Sequence, residues 1–354
     1  MGPTIAPPSL VGIISPSTSH ALSFLFTTSY VGSLYLSHKL FTSSPSSSPK
    51  ASIGGTPKKA STPDGNGNSP AVPPISSTDE DDIDPNPYRA PGPKPGSRDH
   101  PDTIKKRMIA VTISTALSLS GVYLTINNAS PSRSSIASIS KSITLLGLRL
   151  PTLGPDIIGN VLPYALAPIL MSGPLYATYL DGDLSILRNR YGEGLWAGFK
   201  RTWRSFGLIE LRNYVVGPIT EELVFRSTIL SVSILGGLSF KSLVFATPLW
   251  FGIAHAHHAL ETYRKNGATR DAAIHAILGC LFQLSYTTLF GWFASYLYLK
   301  TGSVLPPLTS HIFCNVMGIY LPTSAAARHP RREILIWTSY LAGIAGFVWG
   351  LRRL

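Results

Sequence analysis

Apolar runs about as long as a bilayer is thick recur along this chain, and they leave its backbone little choice. A helix needs about 20 apolar residues to cross the hydrocarbon core. Backbone N–H and C=O groups in that core must bond within their own segment, so such runs fold as helices. The runs cover residues 17–38, 108–126, 157–180, 212–235, 243–258, 272–299, 304–321 and 334–351. The sequence therefore predicts an all-α fold, a polytopic membrane protein of about eight transmembrane helices. The third run carries Pro163, Pro168 and Pro174, each of which removes a helix hydrogen bond.

Composition points the same way. Charged residues make up 14% and hydrophobic residues 44%, where soluble domains carry roughly 25% charged. The net charge of +12 fits Lys- and Arg-rich loops beside a membrane. No basic run with interleaved aromatics lies outside the apolar segments, so the lipid bilayer, and no nucleic acid, is the expected partner. Cys280 and Cys314 fall in separate apolar runs and have neither metal-site nor disulfide-framework spacing.

The pattern divides the chain into four parts. Residues 1–42 are an N-terminal segment with the first span. Residues 43–107 read as a disordered Ser/Pro-rich loop with an acidic run, Asp79-Glu80-Asp81-Asp82, and too little apolar area to offset chain entropy. Residues 108–204 hold spans two and three, a Ser-rich linker over 131–152, and a basic stretch. In that stretch Trp196, Phe199 and Trp203 recur at helical spacing, as in an interfacial amphipathic helix. Residues 205–354 are a helical core with spans four to eight. Asn128-Ala129-Ser130 is a glycosylation triplet. Lys and Arg placement puts the loops after spans one, three, five and seven in the cytosol.

Charged residues inside these runs are expensive, at about 2.5–3.5 kcal/mol for each one at the centre of a span. Span four nevertheless contains Glu221, Glu222 and Arg226. Glu222 and Arg226 are four apart, share a face and can form a structural pair. Glu221 lies about 100° further round the helix and is left without that partner. An unpaired carboxylate in low dielectric holds a proton more readily, which suits a general base. Span five ends in Phe251-Gly252-Ile253-Ala254-His255-Ala256-His257-His258. Phe251 and His255 share a face, and His255, the deepest, is the preferred site residue; His257 and His258 read as interfacial. On span seven His311 and Asn315 face the same way, either as interhelical glue or as donors to an oxyanion. Together Glu221, His255, His311 and Asn315 can converge on a polar cavity that faces the cytosol. That set suits hydrolysis.

In order, the motifs are Glu-Glu-x-x-x-Arg (Glu221, Glu222, Arg226), Phe-x-x-x-His (Phe251, His255) and His-x-x-x-Asn (His311, Asn315), each in an apolar helix. This ordered set, over roughly residues 205–320, resembles the type II CAAX prenyl endopeptidase family. The resemblance implies a multi-pass enzyme of the endoplasmic reticulum membrane with its active site facing the cytosol. It implies removal of the last three residues of farnesylated or geranylgeranylated CAAX proteins, such as small GTPases. Under it Glu221 and His255 would activate water, His311 and Asn315 would stabilise the oxyanion, and Glu222 and Arg226, with Phe251, would support the base. No cofactor is expected. The alternative is zinc on Glu221, His255 and His311, although the set lacks the His-Glu-x-x-His spacing of zinc peptidases. Two other functions compete, a proton-coupled transporter and a non-catalytic membrane scaffold.

Overall fold

The computed structural model describes residues 8–40, 97–129, 135–149, 156–184, 194–254 and 257–354. Among the described residues the regular elements are all helices. The first two, α1 (Pro16–Leu40) and α2 (Pro101–Ala129), pack along each other. Gly121 lets them close: a Cβ there would sit 3.0 Å from the Phe26 ring. Most of the expected 43–107 loop lies outside the described residues. Its end is corrected by the structure, because residues 101–107 are helical and begin α2. Pro101 pre-sets the backbone, Asp102 complements the helix dipole, and the Asp102 N–H donates to His100 Nδ1 at 3.3 Å.

The linker after α2 also contains structure that its Ser content concealed. It includes α3 (Ser135–Leu145), which buries Ser138, Ser142 and Leu145. The Leu145 carbonyl accepts from the Ser231 and Tyr298 hydroxyls, so α3 is tied to the interior. Then α4 (Ile157–Leu170) and α5 (Ser172–Asp181) meet at a 56° bend. Asp156 caps α4 by accepting from the Ile158 N–H at 3.0 Å. Pro163 and Pro168 lie within α4, whereas the break falls at Met171. Next, α6 (Leu195–Arg204) exposes Trp196, Phe199 and Trp203. Their rings stack in sequence and continue onto Phe206.

A single rod over residues 208–235 follows. It comprises α7 (Leu208–Leu211), α8 (Gly217–Glu222) and α9 (Ile229–Leu235), joined by π turns at Arg212–Val216 and Leu223–Thr228. The first π turn has a local cause. Pro218 has no N–H and its ring would strike the carbonyl four residues back. The wider turn accommodates it, and the Gly217 N–H reaches back five residues to Arg212 O.

The expected fifth span is broken instead of continuous. The break falls between α10 (Phe240–Phe245) and α11 (Leu249–Ala254), and α12 (His257–Lys265) lies further along the chain. Pro248 follows a turn in which the Ala246 and Thr247 N–H groups both donate to Ser242 O. The long α13 (Arg270–Thr301) is capped by Thr269 at its start and by left-handed Gly302 at its end. Then α14 (Leu305–Met317), α15 (Pro322–Arg328) and α16 (Glu333–Arg353) complete the chain. Along α16, Gly343, Gly346 and Gly350 lie flush against α4 and its junction with α5; a Cβ on Gly350 would stand 2.5 Å from Leu166 Cδ2. Small residues at such spacing are how membrane helices approach closely.

Among the described residues, three helices are long and apolar enough to cross a membrane: Pro101–Ala129, Arg270–Thr301 and Pro330–Arg353. The bent pair α4 and α5 makes a fourth candidate. The other expected spans are shorter, broken or rich in hydroxyls. The protein is thus an all-α, polytopic membrane protein. Its main core gathers Phe26 and Tyr30 of α1, Val122 and Ile126 of α2, and the buried face of the 208–235 rod.

Candidate active site

The rod over 208–235 and α14 bring the polar residues together. Glu222 and Arg226 stand one turn apart and are sealed from solvent, each side chain 1% exposed. Arg226 Nη1 donates to Glu222 Oε1 at 2.9 Å. The guanidinium lies over two aromatic faces, 4.4 Å from the Phe251 centroid and 5.4 Å from that of Phe290. Phe251 thus supports the arginine, and the Phe225 ring meets it edge-on.

His311 reaches the same oxygen from α14. Its Nδ1 is 2.7 Å from Glu222 Oε1. Two donors converging on one oxygen require an acceptor, so Glu222 is the carboxylate and Nδ1 carries the hydrogen. The other ring nitrogen, Nε2, lies 3.6 Å from Glu221 Oε2. The ring is held between Phe251 and Phe290, with centroids at 6.2 and 5.0 Å.

Glu221 differs from its neighbour in exposure. Its side chain is 24% exposed, and it lines a cavity of about 1230 Å³. That is larger than the roughly 300–1,000 Å³ of most small-molecule pockets. His311, Cys314 and Asn315 line the same cavity, as do Tyr30 and Phe290. Phe293, Tyr296, Phe347 and Leu351 line it as well and make part of its surface apolar. Asn315 spends one amide hydrogen on the Asn213 carbonyl, at 3.0 Å, which keeps its second N–H and its Oδ1 for other use.

Glu221, Glu222, Arg226, Phe251, His311 and Asn315 therefore surround one cavity or its wall. His255 lies outside the described residues, as do the side chains of His257 and His258. Among the described residues no group of three or more His, Cys, Asp or Glu side chains is arranged to hold a metal ion.

Four residues at the site were not singled out from the sequence. Phe290 is an aromatic residue in an aromatic-rich span, with no signal to mark it. Arg212 and Asn213 form a polar pair just ahead of the Glu221 helix turn, and that pair was legible. Tyr30 comes from α1, far away in sequence. Its buried hydroxyl lies 3.0 Å from Thr220 Oγ1, next to Glu221, and its ring packs edge-on against Phe225.

Comparison with known proteins agrees with this geometry. Residues 203–317 match the family model described as type II CAAX prenyl endopeptidase Rce1-like. The chain is 34% identical over 262 residues to CAAX prenyl protease 2 of Homo sapiens, covering 73% of each protein. It is 30% identical over 256 residues to the CAAX prenyl protease 2 of Saccharomyces cerevisiae, covering 67% of this chain and 76% of that protein. It is 40% identical over 138 residues to that of Arabidopsis thaliana, covering 39% of this chain and 41% of that protein. No solved structure matches. The matched segment begins just before the Glu221 rod and ends with α14, so it contains the polar cluster, and the chain belongs to the type II CAAX prenyl endopeptidase family.

Proposed function

We propose that this chain is an intramembrane endopeptidase that removes the C-terminal aaX tripeptide from farnesylated or geranylgeranylated CAAX proteins, small GTPases among them. Its membrane is that of the endoplasmic reticulum, with the active site open to the cytosol. The observation that carries this reading is the unequal treatment of the two acids. Glu222 is consumed by Arg226 and His311, while Glu221 meets the cavity.

Two polar atoms 3.6 Å apart can share one water lying off the line between them, at about 2.8 Å from each. Glu221 Oε2 and His311 Nε2 are such a pair. In the proposed mechanism Glu221 takes a proton from this water, aided by His255 as the family resemblance implies. The oxygen attacks the carbonyl carbon of the prenylcysteine, and the carbonyl oxygen becomes an oxyanion. Asn315 donates to it through its second amide hydrogen. His311, held through Nδ1 by Glu222, presents Nε2 beside the same water at 3.6 Å from Glu221 Oε2 and keeps it in line with the carbonyl. Glu221 then delivers the proton to the leaving amine, the C–N bond breaks, and the tripeptide departs. No resident metal is required, because the carboxylate itself activates the water.

The test is release of tripeptide from a prenylated peptide by purified protein in vesicles. Glu221→Gln preserves shape and removes the base, so turnover should fall at least 100-fold, on the order of a general-base contribution. Turnover that survives this change would overturn the role of Glu221. A protein that never releases tripeptide would instead fit the scaffold or transporter alternative.

A further inference from the structure

The cavity that holds Glu221 and His311 is also lined by Arg98, Arg107 and Arg212. None of these arginines takes part in the chemistry above. Arg212 opens the first π turn, nine residues before Glu221, or about 13 Å along a helix. Its guanidinium is held in place at three points. Nε donates to Asn213 Oδ1 at 2.9 Å, and Nη1 donates to the Arg98 carbonyl at 3.1 Å and to Asp99 Oδ1 at 2.9 Å. Nη2 makes no hydrogen bond among the described residues. The Arg212 side chain is 16% exposed and that of Asp99 54%. Asp99 lies outside the cavity lining, so it anchors the arginine from the solvent side. The Asn213 carbonyl accepts from Asn315, which ties this turn to α14 one turn beyond His311.

A substrate of the proposed reaction ends in a free α-carboxylate, three residues beyond the bond that is cut. Three extended residues span about 10 Å. With its scissile carbonyl at Glu221 and His311, such a peptide running past Asn315 brings its carboxylate within reach of an Arg212 guanidinium. Arginine is suited to this task because its planar N–H groups match a carboxylate. The largely apolar surroundings strengthen the attraction relative to water. We infer that Arg212, with Arg98 and Arg107 of the same cavity lining, binds the C-terminal carboxylate of the substrate and sets the distance at which the chain is cut. This rests on the endopeptidase reading and adds the subsite that measures three residues.

The experiment uses the full chain in vesicles and two prenylated peptides that differ only at the end, one a carboxylate and one a carboxamide. Wild-type protein should prefer the carboxylate by roughly 10- to 100-fold in kcat/KM, the range for a hydrogen bond to a charged group. The difference should lie mainly in KM. Arg212→Gln should bring the preference below about threefold, and Arg107→Gln should reduce it in part. Arg352→Gln, which changes another arginine of the cavity lining, should leave the preference intact. The preference is a ratio within one preparation, so incomplete folding of a variant cancels from it. Equal cleavage of both peptides by wild type would overturn the inference, as would an Arg212→Gln protein that keeps the full preference. Equal cleavage is also what a lipid phosphate on these arginines would give. Cleavage of neither peptide would overturn the endopeptidase reading itself, which is a different result.

Discussion

Replacing Arg226 by Met asks whether the Glu222 pair holds the fold or only decorates it. Met keeps much of the length and the contact with Phe251 and Phe290, so the change removes mainly charge. The side chains of both partners are 1% exposed, which leaves Glu222 buried without its cation. Breaking a buried pair from one side costs about 3–5 kcal/mol. Loss of two desolvated cation–π contacts, at 4.4 and 5.4 Å, adds about 1–2 kcal/mol. His311 opposes this loss, since its Nδ1 still donates to Glu222. Among the described residues, Glu222 Oε2 and Arg226 Nη2 have no hydrogen-bond partner, so one hydrogen bond joins the pair. The expected net cost is therefore about 3–5 kcal/mol. The double variant Glu222→Gln with Arg226→Met removes both charges and keeps an acceptor for His311. It should lie within about 2 kcal/mol of wild type, because apolar replacement of whole buried pairs is often neutral or stabilising. Unfolding by SDS titration in mixed micelles, followed by circular dichroism, gives both values. A single variant within about 1 kcal/mol of wild type would refute the argument, as would a double variant no better than the single one.

Other consequences are simpler. Tyr30→Phe removes the hydroxyl that meets Thr220 and should cost about 0.5–1.5 kcal/mol in the same titration. Gly350→Leu forces a side chain against Leu166 where even a Cβ approaches to 2.5 Å, and overpacking of this kind should cost about 1–3 kcal/mol, with Gly350→Ala milder. Prolonged treatment with EDTA or phenanthroline should leave tripeptide release unchanged; loss of activity that added zinc restores would favour the zinc alternative.

The motifs made the centre of the site legible, since Glu222 and Arg226 pair as their spacing predicts. The reason for that pairing needed the structure. A step of 100° per residue holds in an unbroken α-helix, but a π turn covers Leu223–Thr228. A wider turn moves residue 226 nearer the face of residue 221, so periodicity alone no longer selects the partner. Burial does: Glu222 faces the interior with His311, and Glu221 faces the cavity. The His311–Glu222 contact joins residues 89 positions apart, and the Tyr30–Thr220 contact joins residues 190 apart. No periodicity within one helix carries such information. The broken helices over 240–254 were hidden for a related reason: hydropathy measures apolar content, and that content survives a break at Pro248.

A membrane helix can carry two adjacent acids when each is compensated in a different way. A charge at a span centre costs about 2.5–3.5 kcal/mol, so two uncompensated ones would strain insertion of the rod over 208–235. Glu222 is offset by Arg226 and by the His311 N–H, at the expense of being enclosed. Glu221 is offset by access to the cavity, which is also the access a reacting water needs. His311 links the two, because one ring nitrogen is fixed by the enclosed acid and the other faces the open one. The ring thus holds Nε2 at 3.6 Å from Glu221 Oε2 while Nδ1 stays on the supporting pair. The enclosed acid thereby fixes the geometry in which the open acid meets its water. That is why Glu222→Gln should impair turnover even if the protein keeps its fold.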